Sequence, residues 1–107
     1  MKIVILIPVY NDWQSISKLL EKINLEISKL EHEFSAIIIN DGSTDHPPQN
    51  FNNIDNFQSV KIIDMKINKG HARCNAAGLK YIFENEEFNY VIPMDGDGED
   101  RPEEISI

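Results

Sequence analysis

Asp95, Asp97, Glu99 and Asp100 crowd into the stretch Met94-Asp-Gly-Asp-Gly-Glu-Asp-Arg-Pro-Glu-Glu104, directly after the apolar run Tyr90 to Met94. Carboxylates are hard oxygen donors and suit Mg²⁺, Mn²⁺ or Ca²⁺. Gly96 and Gly98 let the backbone turn sharply and let a ligand come close. A strand that ends in such a cluster sets a cation at the rim of a sheet, where it reconciles acidic side chains with phosphates. The stretch therefore reads as a metal-diphosphate site, with a nucleotide pocket built by the residues before it. Two blander readings use the same residues. Asp-Gly pairs form solvated turns. In an EF-hand loop Asp95, Asp97 and Glu99 would fit the first three ligand positions, but Asp100 stands where Gly is needed and Ser106 where Glu is needed. The element before the loop is also a strand rather than a helix.

Other polar clusters punctuate the chain. Asp41-Gly-Ser-Thr-Asp45 reads as an Asx turn or as a base-binding turn, in which the Asp41 carboxylate accepts from a base N–H or from ribose hydroxyls. Asn68-Lys-Gly-His-Ala-Arg73 is a turn opening a helix. Lys69 and Arg73 would offset phosphate charge there, and a helix N-terminus favours anions; the plain alternative is a surface turn. His71 alone reads as a surface or capping histidine. Tyr10 and Trp13 either stack on a base or pack the first helix against the sheet.

These clusters need a scaffold. Ile3-Val-Ile-Leu-Ile-Pro-Val9 is a continuous, largely β-branched run, the mark of a strand buried on both faces. Pro8 is expected to stop ladder pairing at its end. Asn11 or Asp12 caps the helix that follows. Its apolar stripe is Ile16, Leu19, Leu20, Ile23, Ile27 and Leu30. Phe34 to Asn40 is the second strand, a loop with one weak helical turn spans Pro47 to Asn56, and Val60 to Asp64 is a third strand. A second helix runs to about Asn85, with Cys74, Ala77, Gly78, Tyr81 and Ile82 facing inward; the small residues allow close approach to the sheet. Tyr90 to Met94 is the fourth strand. The order β-α-β-loop-β-α-β implies an α/β fold of three layers, a mainly parallel sheet with helices on both faces. Ligands bind beyond the carboxyl ends of such strands. Tyr10 to Asp12, Asp41 to Asp45 and Asp95 to Asp100 are therefore expected to converge on one rim.

Composition narrows the partners. The 107 residues suffice for one domain with a modest core. A net charge of −8 argues against a nucleic-acid partner. Cys74 is the single cysteine, so no internal disulfide forms, and a reduced, cytosolic setting is the simpler reading. No apolar run is long enough to cross a bilayer.

Taken in order, Ile7-Pro-Val-Tyr-Asn-Asp12, Asn40-Asp-Gly-Ser-Thr-Asp45, Asn68-Lys-Gly-His-Ala-Arg73 and Met94 to Glu104 closely resemble the family 2 glycosyltransferases, which have the GT-A, Rossmann-like nucleotide-binding fold. The pattern Asp-x-Asp-x-x-x-x-Pro-Glu-Glu is most similar to the branch acting on polyprenyl phosphates, including dolichyl-phosphate mannosyltransferases. The resemblance implies a transferase of cell-wall or polysaccharide biosynthesis that moves a sugar, with inversion, from a nucleotide-diphosphate sugar to a polyprenyl phosphate or a saccharide. It implies that Pro8, Val9, Tyr10 and Asp12 border the nucleoside and that Asp41 contacts the base. Gly70 and Arg73 would lie near the nucleotide. Asp95 and Gly96 would face the ribose side, and Asp97 would hold Mg²⁺ or Mn²⁺ with Asp95 and Glu99. Glu99 stands where that branch often has Gln, and Asp12 where the family more often has Glu. Residues 1–107 are expected to be a single nucleotide-sugar-binding domain that stops before the acceptor-binding and catalytic half, with any catalytic base beyond Ile107. The location expected is cytoplasmic, at the inner face of the membrane. Rival readings are a nucleotide-binding module without transferase activity, a nucleotidyltransferase, whose Gly-rich basic loop the first strand lacks, and a structural role in which a second copy covers an exposed sheet edge.

Overall fold

A computed structural model describes residues 1–65 and 70–94. Its elements follow the order β1 (Lys2–Val9), α1 (Trp13–Ile27), β2 (Glu33–Asp41), β3 (Phe57–Met65), α2 (His71–Asn85) and β4 (Tyr90–Pro93). The four strands form one sheet in the order β3-β2-β1-β4, and every pair is parallel. The chain thus steps one way from β1 to β2 through α1, and back the other way from β3 across β2 and β1 to β4 through α2. Right-handed crossovers in opposite directions put the two helices on opposite faces. The three-layer α/β expectation is met.

Alternation along the strands assigns the faces. Ile3, Ile5, Ile7 and Val9 of β1, with Phe34, Ala36 and Ile38 of β2, pack against Trp13, Ile16, Leu19, Leu20, Ile23 and Ile27 of α1. Val4 and Leu6 of β1, with Ile37 and Ile39 of β2, pack against Cys74 and Ile82 of α2. Each fully buried Ile contributes about 2 kcal/mol relative to an exposed one. Both faces of β1 and β2 are buried, so their sequences are continuous apolar runs rather than alternating ones. No helix joins β2 to β3. Instead Phe51 and Ile54 of the connecting loop pack beside α1, and Asn56 donates its backbone and side-chain N–H groups to the Asn24 side-chain oxygen and carbonyl, at 2.8 and 2.9 Å.

Several sequence expectations need adjustment. Helix α1 ends at Ile27, and Leu30 packs on the core from the turn beyond it. Strand β3 begins at Phe57, three residues early, because its half-buried edge position accepts polar Gln58 and Ser59. Ala77 is exposed, while Cys74, Gly78 and Ile82 form the buried line of α2. The loop from Pro47 to Asn56 holds no helix, and its single turn is the one closed by Phe57 N–H on the Ile54 carbonyl at 3.0 Å. At Gly78 an added Cβ would sit 2.5 Å from Leu6 Cδ1 and 3.1 Å from Ile39 Cγ1, so the expected close helix–sheet approach is real.

Pro8 acts on one side only. β1 pairs with β2 as far as Val9, opposite Asn40. Toward β4, pairing among the described residues reaches Leu6, whose carbonyl accepts from Met94 N–H at 2.9 Å. Backbone polar groups two residues apart face the same way in a strand, so the N–H that Pro8 lacks is the one that would have reached β4. The ladder between β1 and β4 is thus lost toward the carboxyl end of β1. This is also where the strand order reverses, the position at which open α/β sheets bind ligands. Among the described residues β4 is an edge strand, and Pro93 likewise lacks the N–H it would turn outward, which blunts the edge expected to attract a second copy.

Candidate functional site

The carboxyl ends of β1 and β2 lie side by side, so the loops that follow them meet. Asn11 takes the left-handed conformation at φ 51°. Its side-chain oxygen accepts from Thr44 N–H at 2.8 Å, Asp45 N–H at 3.0 Å and the Thr44 hydroxyl at 3.3 Å. Its own N–H donates to Ser43 Oγ at 2.9 Å. Trp13 Nε1 donates to the Asp45 carbonyl at 3.3 Å, while its ring is buried in the core under α1. Trp13 is thus a packing residue with a polar handle, and Tyr10, 44% exposed, is the aromatic left open on this rim. Asp12 is exposed and stands at the N-cap of α1 without a side-chain capping bond. The helix cap expected of Asn11 or Asp12 is absent, because the Asn11 side chain serves the neighbouring loop.

The second loop is braced from below. Asn40, buried on the α1 face, accepts from Ser43 N–H at 3.1 Å, which makes the Asx turn an Asn40 turn rather than an Asp41 one. Its amide donates to Asp64 Oδ1 at 2.9 Å, across the register Asn40↔Asp64. Asp41 points the other way, in line with Ile37 and Ile39, toward α2. It is fully buried, and its Oδ2 accepts from Gly70 N–H at 3.0 Å. Gly70, at φ 85°, is the residue before α2, and its positive φ suits a residue without a side chain. The Asp41 carboxylate, expected to accept from a base, is thus buried with one oxygen already accepting from Gly70. It anchors the entry to α2. Arg73, in the first turn of α2, is exposed.

Cys74 lies beneath Asp41, fully buried, with its Sγ 3.5 Å from Met65 Sδ. Burial first, then the hydrogen bond to Asp41 and its negative charge, push the thiol from 9.0 up to about 12. All three favour the protonated form in the folded chain. Stability from this group is fully present below pH 9 and is lost as pH rises toward 12. Denaturation curves between those limits should show wild type losing stability relative to Cys74→Ala; a constant difference across the range would refute this.

Asp95, Gly96, Asp97 and Glu99 lie outside the described residues, as does Lys69. Among the described residues no group of three or more His, Cys, Asp or Glu stands where it could hold a metal ion. The donor chemistry of Asp95, Asp97 and Glu99 nevertheless suits a hard divalent cation. Met94, which precedes them, is bonded to β1 at the same rim as the Asn11 and Asp41 loops. Two polar hollows described elsewhere sit at the opposite rim, around Lys2 and Glu33, and touch none of these residues.

Sequence reasoning missed Asn11 and Asn40 as the braces of the rim. The one local signal was an Asn at the end of a strand, a residue type that tolerates the left-handed region.

The chain matches Glycosyl transferase family 2 over residues 4–107. It belongs to that family. It is 31% identical over 104 residues to the undecaprenyl-phosphate 4-deoxy-4-formamido-L-arabinose transferase of Proteus mirabilis, covering 97% of this chain and 31% of the relative. The enzyme of the same name from Pseudomonas fluorescens strain Pf-5 is 30% identical, over 94% of this chain and 29% of its own length. An uncharacterized glycosyltransferase of Synechocystis is 32% identical, over 98% of this chain and 32% of its own length. The chain spans about a third of the length of these relatives. As a family 2 member it carries the rim loops after β1 and β2 and the Asp95–Asp97 stretch inside the matched region. No helix of the described residues is long and apolar enough to cross a membrane.

Proposed function

We propose that this chain is the nucleotide-sugar-binding part of an inverting, metal-dependent glycosyltransferase whose acceptor is a polyprenyl phosphate. The observation that carries the reading is the family 2 match, which runs through all the rim segments. The lipid-phosphate acceptor is supported by the names of two of the relatives, both undecaprenyl-phosphate sugar transferases.

In this reading Pro8, Val9, Tyr10 and Asp12 border the nucleoside at the end of β1, with Tyr10 offering its exposed ring for stacking. Asp41 fixes Gly70, and so sets where the first turn of α2 and Arg73 stand relative to the nucleotide. Asp95 and Gly96 close the ribose side. Asp97, Asp95 and Glu99 would hold Mg²⁺ or Mn²⁺. The bound cation would neutralise the charge that develops on the departing diphosphate. Attack on the anomeric carbon from the face opposite that diphosphate gives inversion. A lipid phosphate is already anionic and needs no general base, whereas a sugar hydroxyl would need one. The full-length protein would work at the cytoplasmic face of a membrane, where such a lipid presents its phosphate.

Nucleotide binding should depend on the cation, because the carboxylates otherwise repel the diphosphate. Thermal melts with UDP or GDP, each with and without Mn²⁺, should show stabilisation only with both present. At a ligand concentration a hundredfold above Kd the gain is about 2.7 kcal/mol. Absence of a shift in every condition would remove the site. Transfer of labelled sugar from a nucleotide sugar to undecaprenyl phosphate by the full-length protein tests the acceptor.

A further inference from the structure

We propose that Asn11 is a positioning residue for nucleotide binding: it staples the loop after β1 to the loop after β2 and so holds Tyr10 at a fixed place on the rim. The proposal rests on the nucleotide-binding reading above, and adds a role for a residue that reading leaves idle.

The geometry is specific. One side-chain oxygen accepts from three donors on Thr44 and Asp45, residues 33 and 34 positions away in the chain. The Asn11 N–H returns a bond to Ser43 Oγ. Reciprocal bonds of this kind fix both the separation and the relative orientation of the two loops. The only other bond between them among the described residues is Trp13 Nε1 to the Asp45 carbonyl. The acceptor is in reach because Asn11 sits at φ 51°, a conformation that Asn and Asp enter more readily than other residues with a side chain. Tyr10 is caught between two fixed neighbours: Val9, paired into the sheet opposite Asn40, and Asn11, tied to the next loop. Its position on the rim is therefore set by the backbone on both sides of it. A ligand binding there meets a surface already ordered and does not have to order it, which is the origin of the affinity gain from preorganisation. Every bond to the Asn11 side chain uses its oxygen as acceptor, so aspartate can replace it and glycine cannot, although both tolerate the backbone angle.

The test compares wild type, Asn11→Gly, Asn11→Asp and Ser43→Ala in the full chain. UDP and GDP affinities are measured with Mn²⁺, well below each melting temperature, alongside the emission of Trp13, the only tryptophan. Asn11→Gly should raise the nucleotide Kd about tenfold, roughly what loss of one or two net hydrogen bonds of preorganisation implies. It should also shift Trp13 emission to the red as the Asp45 loop loosens. Asn11→Asp should return most of the affinity and the wild-type emission, and Ser43→Ala should weaken binding in the same direction but less. Wild-type affinity in Asn11→Gly overturns the proposal while leaving the nucleotide site standing, and so does equal weakening in Asn11→Gly and Asn11→Asp. Should Asn11→Gly fail to fold, Ser43→Ala decides the matter by the same two readouts. A wild-type chain that binds neither nucleotide fails the functional reading itself, and this proposal falls with it.

Discussion

Gly78→Leu should lower the melting temperature by more than about 10 °C, a loss of about 3 kcal/mol from overpacking a closed interface. Even a single added carbon at Gly78 would lie 2.5 Å from Leu6 Cδ1, and Leu6 is fully buried between α2 and its neighbours in the sheet. A leucine tip on the surface could swing aside. This one has no open space to enter, so α2 must lift from the sheet. Lifting it strains the Gly70–Asp41 bond at its N-terminus as well as the packing of Cys74 and Ile82. Gly78→Ala should cost less, since alanine recovers about 1 kcal/mol of helix propensity against the clash. Leu6→Ala in the Gly78→Leu background supplies room and should recover part of the loss, although either change alone destabilises. Additive destabilisation in the double variant would show that the two side chains do not compete for the same space.

Asp41→Ala is expected to be nearly as costly to the fold and more costly to binding. It removes a fully buried carboxylate that holds the Gly70 amide, and hydrogen bonds to charged groups contribute about 1.5–3 kcal/mol. It also takes away the partner of the Cys74 thiol. With Gly70 released, the first turn of α2 and Arg73 lose their fixed relation to β2, and nucleotide affinity should fall more than tenfold, or over 1.4 kcal/mol. Asp41→Asn keeps an oxygen that can accept from Gly70 N–H and should keep most of the stability. Chemical denaturation and calorimetric titration of the two variants separate these effects. Nucleotide affinity unchanged in Asp41→Ala would remove Asp41 from the site.

The fold was legible because its signals are local. Ile3 to Ile7 and Ala36 to Ile39 are uninterrupted apolar runs, and only a strand covered on both faces uses such a run. The stripe on α1 from Ile16 to Ile27 is regular, and the small Gly78 on α2 announced a close approach. Periodicity does not mark where a helix stops: the stripe continues to Leu30, which packs on the core from a turn beyond α1. The start of β3 was hidden because an edge strand keeps polar residues such as Gln58. The site was legible only as a list of polar strand ends. Which side chain braces which loop depends on contacts more than thirty residues apart, and no spacing rule reaches that far. Asp41 shows the same limit: its type suggested an acceptor, but its place in the alternation of β2, after Ile37 and Ile39, turns it inward to α2.

The central position of β1 has a consequence for biosynthesis. Its partner on one side is β2, made some thirty residues later, but on the other side it is β4, whose first paired residue, Tyr90, comes 87 residues after Ile3. At ribosomal speeds of about 5–20 residues per second, that flank of β1 goes without its native neighbour for on the order of ten seconds. Throughout this interval a run of isoleucine, valine and leucine offers free amides and carbonyls to any passing strand. A nascent chain with this topology should lean on holding chaperones until Tyr90 to Pro93 has left the exit tunnel.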